Sequence, residues 1–93
     1  MTSQAYLYKT SGEIVPVLPI NGTSFTLGEL SSFVNGYVQI VTLKDGRLMV
    51  MNEEGKLDGL KQNDTATNLA KSVLFNGDHI VGDVLVTPYD FVN

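Results

Sequence analysis

One stretch decides the fold of this chain. It runs from residue 36 to residue 67 and reads GYVQIVTLKDGRLMVMNEEGKLDGLKQNDTAT. Two apolar runs of β-forming residues, 37–43 and 48–51, flank an Asp-Gly pair, which is a strong local signal for a β-hairpin. The stretch therefore predicts a hairpin, then an acidic turn, then the start of a helix.

The hairpin has a predicted register. The Asp-Gly pair is interpreted as the centre of a two-residue type I′ turn, because both residues tolerate positive φ angles. In that register Leu43 lies opposite Leu48, and Val41 lies opposite Val50. The other face carries Ile40, Thr42, Met49 and Met51. Because both faces are largely apolar, we expect both to be covered.

An N-terminal hairpin and a short helix precede this stretch. Residues 5–9 and 14–18 read as strands, and Pro16 indicates an edge position or a bulge because it lacks a backbone donor. Thr26 and Glu29 match a capping box, which starts a helix of about two turns. Asn35 then supplies a left-handed C-cap together with the glycine that follows it.

A second helix and a long strand follow the stretch. Asn63 or Asp64 is expected to cap the helix, and residues 76–78 to end it. Its apolar stripe consists of Ala66, Leu69, Ala70 and Val73. Residues 79–87 are predicted to form one long final strand, which Pro88 ends.

These elements define one fold class. We expect a single compact α+β domain over residues 1–93. It is a small twisted antiparallel sheet, built from two hairpins and the C-terminal strand, with two short helices packed on it. Because two short helices leave apolar surface on the second hairpin, we also expect a homodimer.

The composition limits the functional classes. The net charge is −4 and the six basic residues are scattered, so we do not expect a nucleic acid partner. The sequence has no cysteine and no apolar run of roughly 18 residues, so it predicts neither disulfides nor a membrane span. The N-terminal residues lack the features of a signal peptide. We therefore expect a cytoplasmic protein with no cofactor.

The acidic turn leaves several alternatives open. Glu53, Glu54 and Asp58 place three carboxylates within six residues. They can form a solvated turn, a binding edge or a site for a hard cation, although the spacing is not that of an EF-hand loop. His79 has no marked nucleophile or orienting partner, so we predict no catalytic residue and no metal site.

Asparagine residues at both ends of the turn have two possible roles. Asn52 can bond the freed backbone of residues 53–57, and Asn63 can cap the following helix. Ligand contacts are the alternative for both. The candidate binding residues are Asn52, Glu53, Glu54, Lys56, Asn63 and Thr67.

Several of these motifs together are similar to a known family. They are the Gly-Tyr-Val run at residue 36, the Asn-Glu-Glu-Gly-Lys-Leu run at residue 52, and the Ile-Val-Gly-Asp-Val-Leu-Val run at residue 80. The chain resembles, from about Ala5 to Val86, small domains of unknown function from phage and mobile-element proteins. The resemblance implies a phage-type origin, and so a protein located in the cytoplasm of a bacterial host. It implies no reaction and no catalytic residue.

Two main functions remain from the sequence. The first is a non-enzymatic binding module, a phage-type accessory protein that engages a host protein. The alternative is a protein that binds or sequesters a nucleotide-like small molecule at a dimer cleft. A small hydrolase is a third and weaker hypothesis, because no catalytic arrangement stands out in the sequence.

Overall fold

Five strands and two α-helices make up the part of the chain that the structure, a computed structural model, describes: residues 4–74 and 77–92. The antiparallel α+β class is confirmed. The elements are β1 (Ala5–Tyr8), β2 (Ile14–Val17), α1 (Leu27–Val34), β3 (Val38–Thr42), β4 (Leu48–Asn52), α2 (Asp64–Ala70), β5 (Val84–Thr87) and a 3-10 helix (Tyr89–Phe91).

The strands form one sheet in the order β2-β1-β5-β4-β3. All neighbouring pairs are antiparallel. The last strand, β5, thus lies at the centre of the sheet and joins the β1–β2 hairpin to the β3–β4 hairpin. Strand β2 lies at one edge, so the edge position that Pro16 predicted is confirmed.

The predicted two-residue turn of the second hairpin is wrong. The Leu43 N–H donates to the Arg47 carbonyl (2.7 Å), and the Gly46 N–H donates to the Leu43 carbonyl (3.0 Å). Gly46 has a φ of 92°. This is a three-residue loop with glycine in the left-handed position. The Asp45 carboxylate accepts the Arg47 N–H (3.0 Å), which holds the loop in this form.

The longer loop moves the strand register by one residue. Ile40 lies opposite Val50, and Val41 lies opposite Met49, in place of the predicted pairs. Ile40 and Val50 therefore share a face of the sheet, and Val41 shares the other face with Met49. The predicted division of the hairpin into faces is corrected accordingly.

Two apolar clusters lie on opposite faces of the sheet. Along β4 and β5 the side chains alternate, so that Val50 and Leu85 face α1 while Met49 and Val86 face α2. The α1 cluster contains Ala5, Phe25, Leu30, Val34, Val50 and Leu85. The α2 cluster contains Leu43, Met49, Met51, Ala66, Ala70, Ile80, Val84 and Val86. The expectation that both faces are covered is confirmed.

Helix α1 has the predicted caps at both ends. The Glu29 N–H donates to Thr26 Oγ1 (3.1 Å), and the Thr26 N–H donates to Glu29 Oε1 (2.8 Å). Asn35 at the C-cap has a φ of 60°, in the left-handed region. Both predictions for this helix are therefore confirmed.

Helix α2 is shorter than predicted. Asn63 is its N-cap, as expected, but the helix ends at Ala70. Val73 lies beyond it and is 39% exposed, so it does not extend the buried stripe. Asn76, where the predicted end begins, lies outside the described residues. Among the described residues, neither helix is long and apolar enough to cross a membrane.

The final strand begins five residues later than predicted, at Val84 and not at His79. Gly82 has a φ of 77°, which interrupts extended structure. The Asp83 carboxylate then accepts the Thr10 N–H (2.9 Å) from the first hairpin loop. In place of one long strand the chain forms a bonded crossing segment, residues 78–82, followed by a short central strand, Val84–Thr87.

Candidate functional site

Two adjoining hollows lie on the α2 side of the sheet. We call the first the helix hollow; its volume is ≈ 520 Å³, and Thr67, Asn68 and Lys71 line it. We call the second the strand hollow; its volume is ≈ 250 Å³, and Gln39 and Val41 of β3 line it with the turn after β4. Both hollows share Leu74, Asp78 and His79 as a common wall.

The structure brings together four of the six predicted binding residues. Asn52, Glu53 and Lys56 line the strand hollow. Thr67 lines the helix hollow. Glu54 is exposed on the turn and Asn63 is buried, and neither lines these two hollows.

Asn52 fixes the base of the acidic turn. Its side chain is buried, and its Nδ2 donates to the carbonyls of Val34 (3.1 Å) and Asn35 (3.4 Å) at the end of α1. Its Oδ1 accepts the Glu54 N–H (2.8 Å). The prediction that Asn52 holds the turn is confirmed, and the turn is also attached to the helix on the opposite face of the sheet.

Two glycines allow this base to pack closely. A Cβ atom at Gly36 would lie 2.7 Å from Asn52 Nδ2, and one at Gly55 would lie 2.8 Å from Val81 Cγ2. Both distances are too short for a real Cβ contact. Side chains at these two positions would therefore displace Asn52 or the crossing segment.

The turn itself is wound by backbone hydrogen bonds. The Asp58 N–H donates to the Glu54 carbonyl (2.9 Å), and the Leu60 N–H donates to the Gly55 carbonyl (3.0 Å). Glu53, Glu54, Lys56 and Leu57 are all exposed, and Leu57 is 86% exposed. The turn is thus fixed at its base and open at its tip.

An ion pair links the turn to the crossing segment. Lys56 Nζ contacts the Asp78 carboxylate, which also accepts the His79 N–H (2.8 Å). The hydrogen bond from Lys56, followed by that from His79, lowers the pKa of Asp78 from its ordinary value. Both side chains are partly exposed, so the pair orients the turn more than it stabilises the fold.

Asn63 connects α2 to two other parts of the chain. It is 1% exposed, and its Oδ1 accepts the Ala66 N–H (3.0 Å) as an N-cap. Its Nδ2 donates to the carbonyls of Tyr8 in β1 (2.9 Å) and Gly82 in the crossing segment (2.9 Å). The capping role is confirmed, and its amide hydrogens serve to attach the helix start to the sheet.

Thr67 forms the wall between α2 and the crossing segment. Its Oγ1 accepts the Ile80 N–H (2.9 Å) and lies 2.8 Å from the Asn63 carbonyl, to which it donates. Thr67 also lines the helix hollow, beside Asn68 and Lys71. Thr67 therefore positions this wall.

Asp78, Lys71 and Gln62 were not predicted as site residues from the sequence, and His79 was predicted to have no role in a site. These residues meet because the crossing segment bridges to Gln62 just before α2, through the pair Gln62–Val81. Local sequence carries no signal for such a bridge. In residues 4–74 and 77–92 there is no group of three or more acidic or histidine side chains placed to hold a metal ion.

The fold and these hollows define a small α+β domain with a mixed-charge surface site beside a turn that is held at its base. A family model described as a domain of unknown function (DUF3846) matches residues 5–90, and the chain belongs to this family. A search of the curated proteins and a search of the solved structures each found no significant match.

Proposed function

We propose that this protein is a non-enzymatic binding module that engages another protein through the acidic turn. The observation that supports this proposal is the combination of a fixed base and an exposed tip. Asn52 and the close approach at Gly55 hold the base. A surface held in its bound conformation loses less conformational entropy when it binds a partner.

The tip of the turn has the composition of a small protein-binding surface. Leu57 is 86% exposed and lies among the charged side chains of Glu53, Glu54 and Lys56. An apolar residue surrounded by charged groups resembles the apolar centre and polar rim of protein interfaces. We therefore place the partner contact on Leu57 and the two glutamates, and expect a partner surface with basic groups around an apolar pocket.

The resemblance described above supports the rest of this proposal. We infer a phage or mobile-element origin, with the Asn-Glu-Glu-Gly-Lys run at residues 52–56 as the mark of the family. The partner is then a protein of the bacterial host, and the site of action is the host cytoplasm.

Removal of the two glutamates tests the acidic turn. The double variant Glu53→Ala/Glu54→Ala should lose the host partner, because the charges of the turn are removed. Each change should alter the free energy of unfolding by no more than about 0.5 kcal/mol, as for exposed side chains. Affinity capture from host lysate, followed by a dissociation constant measured with the identified partner, gives the result.

The matched control removes two exposed carboxylates elsewhere. The variant Glu13→Ala/Asp90→Ala has the same net charge as the first variant and should keep the partner. Equal binding by both variants would contradict the assignment of the turn. A Glu53/Glu54 variant that melts early would show instead that the carboxylates hold the turn together.

A second candidate function rests on the helix hollow. Lys71 and Gln62 provide donors, and Asp78 an acceptor, around a volume of ≈ 520 Å³, which lies within the range of small-molecule sites. These groups suit a nucleotide-like signalling molecule. The alternative proposal is therefore that the protein binds or sequesters such a molecule.

A melting assay with a nucleotide panel separates the two candidates. A bound ligand should stabilise the protein by roughly 2.7 kcal/mol at a hundredfold excess over its dissociation constant. The variant Lys71→Ala should reduce the shift if the helix hollow is the site, whereas Lys44→Ala, on the far hairpin loop, should not. No shift with any nucleotide favours the protein partner, and a large shift would overturn our first choice.

A further inference from the structure

Strand β3 forms an edge of the sheet, and within residues 4–74 and 77–92 no strand pairs with its outer side. Tyr37 accepts the Glu53 N–H (2.9 Å) and Leu43 donates to Arg47 (2.7 Å), so the odd-numbered residues between them point their backbone groups toward β4. In an antiparallel pair the alternate residues point away. The N–H and C=O groups of Val38, Ile40 and Thr42 therefore face outward along the edge.

The two edges of this sheet differ in chemistry. Strand β2 carries Pro16, which lacks an N–H and hinders pairing with a further strand. Strand β3 reads Val-Gln-Ile-Val-Thr, with no proline, no glycine and no charge. Its Val, Ile and Thr residues have high β-propensity, and Ile40 is 43% exposed. Proteins normally block such an edge, so β3 is the edge that is open to pairing.

We propose that a second copy of this chain pairs with β3 in antiparallel orientation, about a two-fold axis through Ile40. This register puts Ile40 opposite the partner's Ile40, and Val38 opposite the partner's Thr42. The outward backbone groups of each residue then meet those of its counterpart. The exposed Ile40 side chains lie together across the axis and are removed from water, and the two sheets become one.

The charges at the two ends of β3 favour a second copy as the occupant. The N-terminal end of the strand lies beside Glu53 and the acidic turn, through the bond from Glu53 to Tyr37. The C-terminal end leads directly to Lys44 in the hairpin loop. Antiparallel pairing brings this loop, in which Lys44 and Arg47 outweigh Asp45, to the same end of the joined sheet as the acidic turn of the other copy, so the two ends are complementary in net charge.

The pairing would also change the candidate site, which takes the inference beyond the proposed function. Gln39 and Val41 line the strand hollow on the α2 side of the sheet. In the proposed register Gln39 lies next to the partner's Val41. The strand hollows of the two copies then adjoin across the axis and form one cleft with residues from both chains.

Light scattering on the whole chain at micromolar concentration tests the assembly. We expect twice the 10.1 kDa mass of one chain for the wild-type protein. Ile40→Lys places two positive charges opposite each other on the axis and should return the mass to 10.1 kDa. The control substitution is Ile20→Lys, at a side chain that is 89% exposed in the loop before α1. This variant should remain dimeric.

Two further variants keep the test decisive. If Ile40→Lys does not fold, Thr42→Lys introduces an edge charge at an exposed position and should also give the monomer mass. Because the chain has no cysteine, Ile40→Cys should form a covalent dimer on mild oxidation, while Ile20→Cys should not. A wild-type monomer, a dimer that persists in Thr42→Lys, or equal cross-linking of both cysteine variants would overturn the proposal.

Discussion

Replacing Asn63 by alanine should lower the free energy of unfolding by about 2–5 kcal/mol. The change removes the N-cap of α2 and leaves the partly buried Tyr8 carbonyl and the buried Gly82 carbonyl without their side-chain donor. The loss of a cap and the loss of buried hydrogen bonds both contribute. Urea denaturation followed by circular dichroism measures the effect.

Two further variants separate these contributions. Asn63→Asp keeps an oxygen to accept the Ala66 N–H, but turns a carboxylate toward two carbonyl groups. It should therefore be at least as damaging as alanine at neutral pH. Asn68→Ala, on the exposed side of the same helix, should change stability by no more than about 0.5 kcal/mol. If Asn63→Asp had the same free energy of unfolding as the wild type, the N-cap bond alone would account for the effect. The bonds to β1 and the crossing segment would then contribute nothing to stability.

The second large effect is expected where Gly36 meets Asn52. Asn52→Ala should cost about 1–3 kcal/mol, because the Val34 carbonyl and the Glu54 N–H lose a buried partner. Gly36→Ala should cost a similar amount, because its Cβ would lie 2.7 Å from Asn52 Nδ2 and displace the amide from the same partners. Chemical denaturation of both single variants gives the two values.

A double-mutant cycle checks that the two changes share one cause. In the Asn52→Ala background the obstructing amide is absent, so Gly36→Ala should cost at least about 1 kcal/mol less than it does alone. Gly28→Ala is the matched control, since the nearest atom to its Cβ is 3.8 Å away and the residue lies within α1. It should stabilise the protein by up to about 1 kcal/mol. Additive effects at Gly36 and Asn52 would contradict the proposed packing.

Features that depend on neighbouring residues could be predicted from the sequence. The Thr26–Glu29 capping box and the Asn63 N-cap depend on side chains that reach backbone groups a few residues away. The Asn35 C-cap depends on the left-handed backbone of that residue, whose N–H donates to the Ser31 carbonyl. The edge position of Pro16 follows from its missing donor alone. These predictions are confirmed because each one depends only on a residue and its near neighbours along the chain.

Two features could not be predicted: one depends on a competition between local interactions, and the other depends on a distant contact. The hairpin register depended on whether Asp45 would adopt a positive φ or bond to Arg47, and the side-chain bond decided it. The start of β5 depended on Gly82, whose carbonyl is bonded to Asn63 nineteen residues earlier. An uninterrupted apolar run gives no sign of such a break.

The same distinction applies to the candidate site. The acidic turn was evident from its composition, and the side chains of Glu53 and Lys56 do line a hollow. The opposite wall, formed by Asp78 and His79, reaches the turn because the crossing segment pairs with Gln62. A surface built from two distant segments has no continuous sequence pattern, so half of the site was missed.

The central position of β5 also sets the order in which the molecule can assemble. Each hairpin closes between residues close in sequence, which is a fast local event. The β1–β5 and β4–β5 pairs join segments far apart along the chain, so their closure carries a larger entropic cost. We therefore expect the two hairpins to form separately during synthesis, and the sheet to be completed only when residues 84–87 have left the ribosome.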